Sequence, residues 1–181
     1  MNPIISLTPW EYERAYAVGI GRFTANWGVG DASYYDRSLM EEDRNAQAAA
    51  AICELAVAKY TGKYWHAGVW HRSDHSKYKH LPDVGDDIEV RRVRTRHAVK
   101  VRNKDAGKTV WAARMADPEY RTVEILGFIS ADEVIASLVG TFQSDKYVEL
   151  DCLRRPWADE STEGNPVEQH GCLGSSTRQE I

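Results

Sequence analysis

Cysteine is scarce: the 181 residues contain three, Cys53, Cys152 and Cys172, and none stands in a CxxC or other paired spacing. One falls in an alanine-rich stretch and one in a polar tail, so no disulfide framework is expected and a reducing cytoplasm fits best. Long apolar runs are also missing. None approaches the roughly 20 residues that cross a bilayer, so no membrane partner is expected. The opening Met1-Asn2-Pro3-Ile4-Ile5 has neither the basic region nor the apolar stretch of a secretory signal. There is no G-x-S-x-G nucleophile motif, and Gly28-Val29-Gly30 follows a predicted helix instead of the strand that a phosphate-binding loop needs. No internal repeat occurs. What is present is a 43% hydrophobic fraction, enough for one continuous core without a metal or disulfide staple.

The net charge of −4 is unevenly placed. Beyond Trp157 stand Asp159, Glu160, Glu163, Glu168 and Glu180 against Arg178 alone, so this tail carries the whole excess and the body is close to neutral. Within the body, Arg91, Arg92, Arg94, Arg96, Lys100, Arg102 and Lys104 form a stretch with no acid among them. Such a stripe can follow a phosphate backbone; the plain alternative is a solvated strand face.

Thr8-Pro9-Trp10-Glu11 is a capping box with proline at the first helical position, which predicts a helix to about Ala25. A further helical stretch is expected near Asp36. Asp43 to Tyr60, rich in alanine and closed by Thr61-Gly62, is the strongest helical segment. A long loop, Lys63 to Leu81, follows. Strands are predicted at Asp87–Arg94, His97–Arg102, Thr109–Met115 and Thr122–Ile129, linked as hairpins through turns at Asp105-Ala106-Gly107 and Asp117-Pro118. Ser130-Ala131-Asp132-Glu133 is a second capping box opening a short helix, and a last strand is expected near Lys146–Leu150. The expected fold is therefore α/β (α+β), a mixed, mostly antiparallel sheet packed against helices in one domain over residues 1–157. Residues 158–181 read as an acidic, disordered tail.

Two features carry chemistry. From Ala48 to Ala58 every residue except Glu54 is apolar, and its helical neighbours are Ala50, Ala51, Val57 and Ala58. A carboxylate there needs a cation, an arginine or a metal beside it, unless the alanine face is open to water. The second is Pro82-Asp83-Val84-Gly85-Asp86-Asp87-Ile88-Glu89-Val90-Arg91. Alternation sets Ile88 and Val90 on one face and Asp87, Glu89 and Arg91 on the other. Across its glycine bend, Asp83 can fold back toward Glu89. Carboxylates converging in this way suit Mg²⁺ or Mn²⁺, which polarises a phosphoryl oxygen and activates water. Arg91 would stabilise charge on the phosphate. The alternative is a surface hairpin whose acids and arginines pair with one another.

Pro-Asp, a short spacer and Glu-x-Arg on an apolar strand resemble the PD-(D/E)xK motif of metal-dependent nucleases. The ordered set of Ile88-Glu89-Val90-Arg91, Val99-Lys100-Val101-Arg102-Asn103-Lys104-Asp105 and Val123-Glu124-Ile125-Leu126-Gly127-Phe128-Ile129 is similar to small phage-encoded proteins of that superfamily. The resemblance spans about Asp43 to Trp157. It implies a restriction-endonuclease-like core and a Mg²⁺-dependent endodeoxyribonuclease acting in the host-cell cytoplasm. Asp83, Glu89 and Glu54 would be metal ligands and Arg91 the catalytic cation. Arg92, Arg94, Arg96, Lys100, Arg102 and Lys104 would bind DNA, and the protein would act as a monomer or a homodimer. The motif's lysine is replaced here by Arg91, which cannot act as a base; Lys100 is the substitute considered. That replacement also admits a catalytically inactive member of the same fold, binding nucleic acid or a host protein.

The loop Lys63–Leu81 holds His66, His71, His75 and His80 with Tyr64, Trp65, Trp70 and Tyr78, at spacings that match no common zinc motif. It reads either as a cover over the sheet edge or as a surface that stacks on bases and contacts phosphate.

Overall fold

A computed structural model describes residues 1–25, 43–78, 80–94, 97–117, 121–137 and 145–157. The helical stretch near Asp36, the loop at Gly28-Val29-Gly30, Arg96 and the acidic tail 158–181 lie outside these residues. The elements are β1 (Ile4–Ser6), α1 (Pro9–Ala25), α2 (Asp43–Thr61), α3 (His75–Tyr78), β2 (Ile88–Arg92), β3 (Ala98–Arg102), β4 (Thr109–Met115), β5 (Thr122–Ser130), α4 (Ala131–Ala136) and β6 (Asp145–Glu149).

The class is mixed α/β, as expected: a four-stranded mixed sheet in the order β1-β5-β4-β2, and a two-stranded sheet β3-β6. Within the large sheet β1–β5 and β4–β5 are antiparallel, whereas β2 and β4 are parallel. The expected chain of hairpins therefore holds only at β4–β5. After β2 the chain leaves the sheet, forms β3 and returns as β4 beside β2 in the same direction. The alternating burial of β3, with Val99 and Val101 inside, suits a strand covered on one face. It pairs with β6, Val99 opposite Val148.

Each helix start shows what local sequence decides. At α1 the capping box is complete, the Thr8 amide donating to Glu11 Oε2 at 2.7 Å and the Glu11 amide to Thr8 Oγ1 at 3.3 Å. At α4 the expected box does not form: Ser130 makes no side-chain cap. The Ala131 amide donates instead to the Lys108 carbonyl at 3.0 Å, because Ser130 is still paired with Thr109 as the last residue of β5. The strand pairing that continues through Ser130, and not a reciprocal side-chain cap, sets the start of this helix.

The core has two parts on opposite faces of the large sheet. One joins α1 and α2 to Ile88, Val90, Trp111, Ala113, Val123 and Ile125. The other joins Val93, Val110, Ala112 and Leu126 to Val99 and Val101 of β3, Val148 of β6 and Val134 of α4. Lys59 near the end of α2 reaches Glu11 near the start of α1 at 2.7 Å, while Gly19 lies against the backbone of Ala48. The two helices thus run antiparallel and touch where Gly19 has no side chain; a Cβ there would sit 2.3 Å from the Cα of Ala48. Among the described residues no helix is long and apolar enough to cross a membrane. Cys53 is free and buried, but Cys152 is disulfide-bonded, against the expectation of no disulfide framework.

Candidate active site

β2 is an edge strand, and the segment before it folds back along its free side. The amides of Asp83 and Val84 donate to the Ile88 carbonyl at 2.9 and 3.1 Å, and the Ile88 amide donates to the Val84 carbonyl at 3.1 Å. Gly85 makes this turn with φ +55°, a conformation that side chains other than glycine resist. The Asp83 carboxylate then accepts the Val90 amide, Oδ2 at 2.8 Å. The turn thus folds Asp83 back onto β2, where its carboxylate meets the backbone beside Glu89. A second layer clamps the turn: the Gly85 amide donates to the Tyr64 carbonyl at 2.7 Å, the His66 amide to the Asp83 carbonyl at 3.2 Å, and His66 Nε2 lies 2.7 Å from the Gly85 carbonyl. The Lys63–Leu81 loop therefore holds the site turn, with Trp65 buried beneath it. The short helix α3, with Trp70 stacked on Tyr78, occupies its far part.

Alternation along β2 places Ile88 and Val90 in the core shared with α2. Glu89 and Arg91 face the other side, toward β3 and the 3-10 turn Asn103–Asp105. Glu89 is 5% exposed. Its Oε1 accepts Arg91 Nη1 at 2.8 Å, with Lys104 at 3.5 Å, and its Oε2 accepts Lys108 Nζ at 3.1 Å. Burial works against its charge, but Arg91 first, then Lys104 and Lys108, outweigh it and hold the carboxyl below its ordinary range. Arg91 is spent on structure: Nε donates to the Lys100 carbonyl at 3.2 Å and Nη2 to Asp105 at 2.7 Å. Asp105 is fully buried, and its Oδ1 has no hydrogen-bond partner among the described residues.

Glu54 lies on the opposite side of β2. It is 5% exposed, not solvated. Arg22 of α1 clasps it through both oxygens, at 2.6 and 2.8 Å, and Trp65 Nε1 donates to Oε2 at 3.0 Å. Burial disfavours the Arg22 charge, yet Glu54 raises its pKa above the ordinary value. The need for a partner to Glu54 was legible from its apolar surround. Arg22 was not, because it sits on a helix 32 residues earlier and meets Glu54 only through the α1–α2 contact.

Asp83 stands between the two. It is half-buried, and its carboxyl is pushed well above the ordinary range by burial and then by the charges of Glu54 and Glu89; the Val90 amide and Arg91 oppose this. All three carboxylates predicted from sequence are therefore in one neighbourhood, supplied by a helix, a turn and an edge strand. Among the described residues, no group of three His, Cys, Asp or Glu side chains is arranged to hold a metal ion. The reason is visible in the sheet: Glu54 and Glu89 approach Asp83 from opposite faces of β2. Mg²⁺ commonly takes only one or two carboxylates and keeps several waters, and the hard-oxygen pair Asp83 and Glu89 has the donor chemistry for it. Asp87, set beside Glu89 in the sequence pattern, precedes β2 and pairs instead with Lys63 at 2.6 Å.

The basic stripe does not form one continuous face. Arg91 points inward, and Arg92 Nη1 donates to the Ala46 carbonyl at 3.4 Å. Arg94 is exposed. Lys100 and Arg102 share the half-open face of β3, Lys100 lying 5.9 Å over the Tyr147 ring. Lys104 projects from the Asn103–Asp105 turn. Compared with known protein families, curated proteins and solved structures, the chain matches none.

Proposed function

We propose that this protein hydrolyses phosphodiester bonds in DNA with the help of a divalent cation, Mg²⁺ or Mn²⁺, at Asp83 and Glu89. The observation that carries this reading is the placement of Asp83, whose carboxylate is anchored by the Val90 amide at the edge strand that also bears Glu89; burial, and then the charges of Glu54 and Glu89, raise its pKa. A carboxyl held against like charges at the edge of a sheet is an arrangement that a bound cation relieves. Asp83 and Glu89 would hold the ion, which when bound would polarise the phosphoryl oxygen and acidify a water. The chain's own contribution is to fix these carboxylates: the Val90 amide orients Asp83, and Arg91 and Lys108 orient Glu89. Glu54 would supply fixed negative charge behind Asp83, held in place by Arg22. Lys100, Arg102 and Lys104, with Arg92 and Arg94, would meet the phosphate backbone, giving binding that weakens with salt.

The restriction-endonuclease-like core that the motif implies belongs to the same proposal. A second reading, a catalytically silent protein of this type that binds nucleic acid, is favoured by one observation: Glu54 and Glu89 already have arginine partners. Incubation with plasmid and single-stranded DNA in Mg²⁺ or Mn²⁺, against EDTA, separates the two. Cleavage that needs the metal and disappears in both D83N and E89Q supports the enzyme. Salt-sensitive binding without cleavage supports the silent protein, and neither result leaves no nucleic-acid role.

A further inference from the structure

Arg91 stands where the nuclease motif has a lysine, but its nitrogens are all committed. Nε is bonded to the Lys100 carbonyl, Nη1 to Glu89 and the Val90 carbonyl, and Nη2 to Asp105. It braces the edge strand against β3 and the Asn103–Asp105 turn. Freeing it to meet a substrate would leave the fully buried Asp105 carboxylate, whose Oδ1 already lacks a partner among the described residues, without its counter-charge.

A different cation is better placed. Lys108 precedes β4, which lies parallel to β2 with Val110 beside Glu89. Two residues before Val110, it shares the face of Glu89 and Arg91. Its ammonium is 3.1 Å from Glu89 Oε2 and its side chain is 9% exposed, and that is its one side-chain bond among the described residues. An ammonium carries three donors that rotate about one bond, so Lys108 can keep Glu89 while offering another to an oxygen anion beside it. Lys104 is farther from Glu89, at 3.5 Å, and more open. Lys100, the substitute suggested by the sequence, lies against Tyr147 on the smaller sheet.

We infer that the job of the motif's lysine is divided here: Arg91 is a structural brace, and Lys108 is the catalytic cation that contacts the scissile phosphate beside Glu89. This rests on the proposed nuclease reading. The test compares wild type with Lys108→Gln, Lys108→Met and Lys108→Arg in the full chain. Three readouts are used: metal-dependent cleavage resolved into kcat and KM, DNA binding in EDTA by fluorescence anisotropy, and thermal melting. The glutamine variant is expected to lose roughly 100-fold or more in kcat, as for removal of one charge-stabilising donor. KM and metal-free binding should stay within about threefold of wild type and the arginine variant should recover part of the rate, since only transition-state contact is removed. Methionine, which fits the lysine stem, decides the matter if glutamine does not fold. Wild-type cleavage with an equally active folded neutral variant overturns the assignment to Lys108 and leaves the nuclease reading standing. Loss of folding in both neutral variants overturns it too, by making Lys108 a structural counter-charge. No cleavage by wild type overturns both.

Discussion

Glu54 and Asp83 are neighbouring acids with opposite local arrangements. Glu54 sits deeper, yet its charge is met by both amino groups of Arg22 and by the indole of Trp65. Asp83 is half-buried, and burial first, then the like charges of Glu54 and Glu89, outweigh its bond to the Val90 amide and the charge of Arg91. The difference shows that burial alone does not decide whether a carboxylate is comfortable; the sign and geometry of its neighbours do. Glu54 contributes to stability as half of a pair, whereas Asp83 is held in an unfavourable place, a frequent property of functional groups.

This contrast can be broken most severely at Glu54. Glu54→Ala removes the carboxylate that meets the largely buried Arg22 guanidinium and should destabilise the fold by about 3–5 kcal/mol, measured by urea unfolding. A loss under about 1 kcal/mol would mean that Arg22 turns out to water and the pair is not structural. Next comes Gly19→Ala, which pushes α1 off α2 and loosens the clasp of Arg22. The close approach to Ala48 predicts a loss of about 1–3 kcal/mol, the usual range for overpacking.

Asp83→Asn should act in the other direction. A carboxyl raised in the folded state binds its proton more tightly there. Its contribution is therefore complete below the unfolded value and is lost as pH rises through the raised folded one. Asparagine keeps an acceptor for the Val90 amide but has no charge, so the variant should melt a few degrees higher than wild type near neutral pH, with the gap closing in acid. Glu89 has the opposite sign. Its lowered pKa gives stability that is present above the ordinary range and lost as pH falls through the lowered value. In Glu89→Gln the destabilisation should accordingly be greatest near neutral pH and fade in acid. The smallest effect belongs to the exposed pair Lys63–Asp87: Lys63→Ala should change stability by under about 1 kcal/mol, and less at high salt.

Much of the secondary structure was readable because it depends on local rules. The Thr8–Glu11 box, the alanine-rich α2 and the alternation in β3 appear where their patterns place them. The second box, at Ser130, failed because β5 continues through that serine. The sequence singled out Glu54, Asp83 and Glu89, and the charges of Glu54 and Glu89 both act on Asp83, though from opposite faces of β2; Arg22, Asp105 and Lys108 were missed. These three come from α1, a 3-10 turn and the residue before β4, and no short motif links them to the acids. Lys108 had one faint signal, a buried lysine two residues before a paired apolar strand position, and that becomes visible only when the parallel register is known.

By itself the sequence determined most of the longer elements, the apolar faces that pack them, and the acids that need company, since these follow from periodicity and from the penalty on a buried charge; β1 and α3 were not among them. The tertiary structure alone decided which company each acid has. A parallel return of β4 beside β2 brings Lys108 to Glu89, and a glycine contact between antiparallel helices lets Arg22 reach Glu54. Such partners depend on strand direction and helix separation, quantities set by packing across the whole molecule and not by any stretch of neighbouring residues.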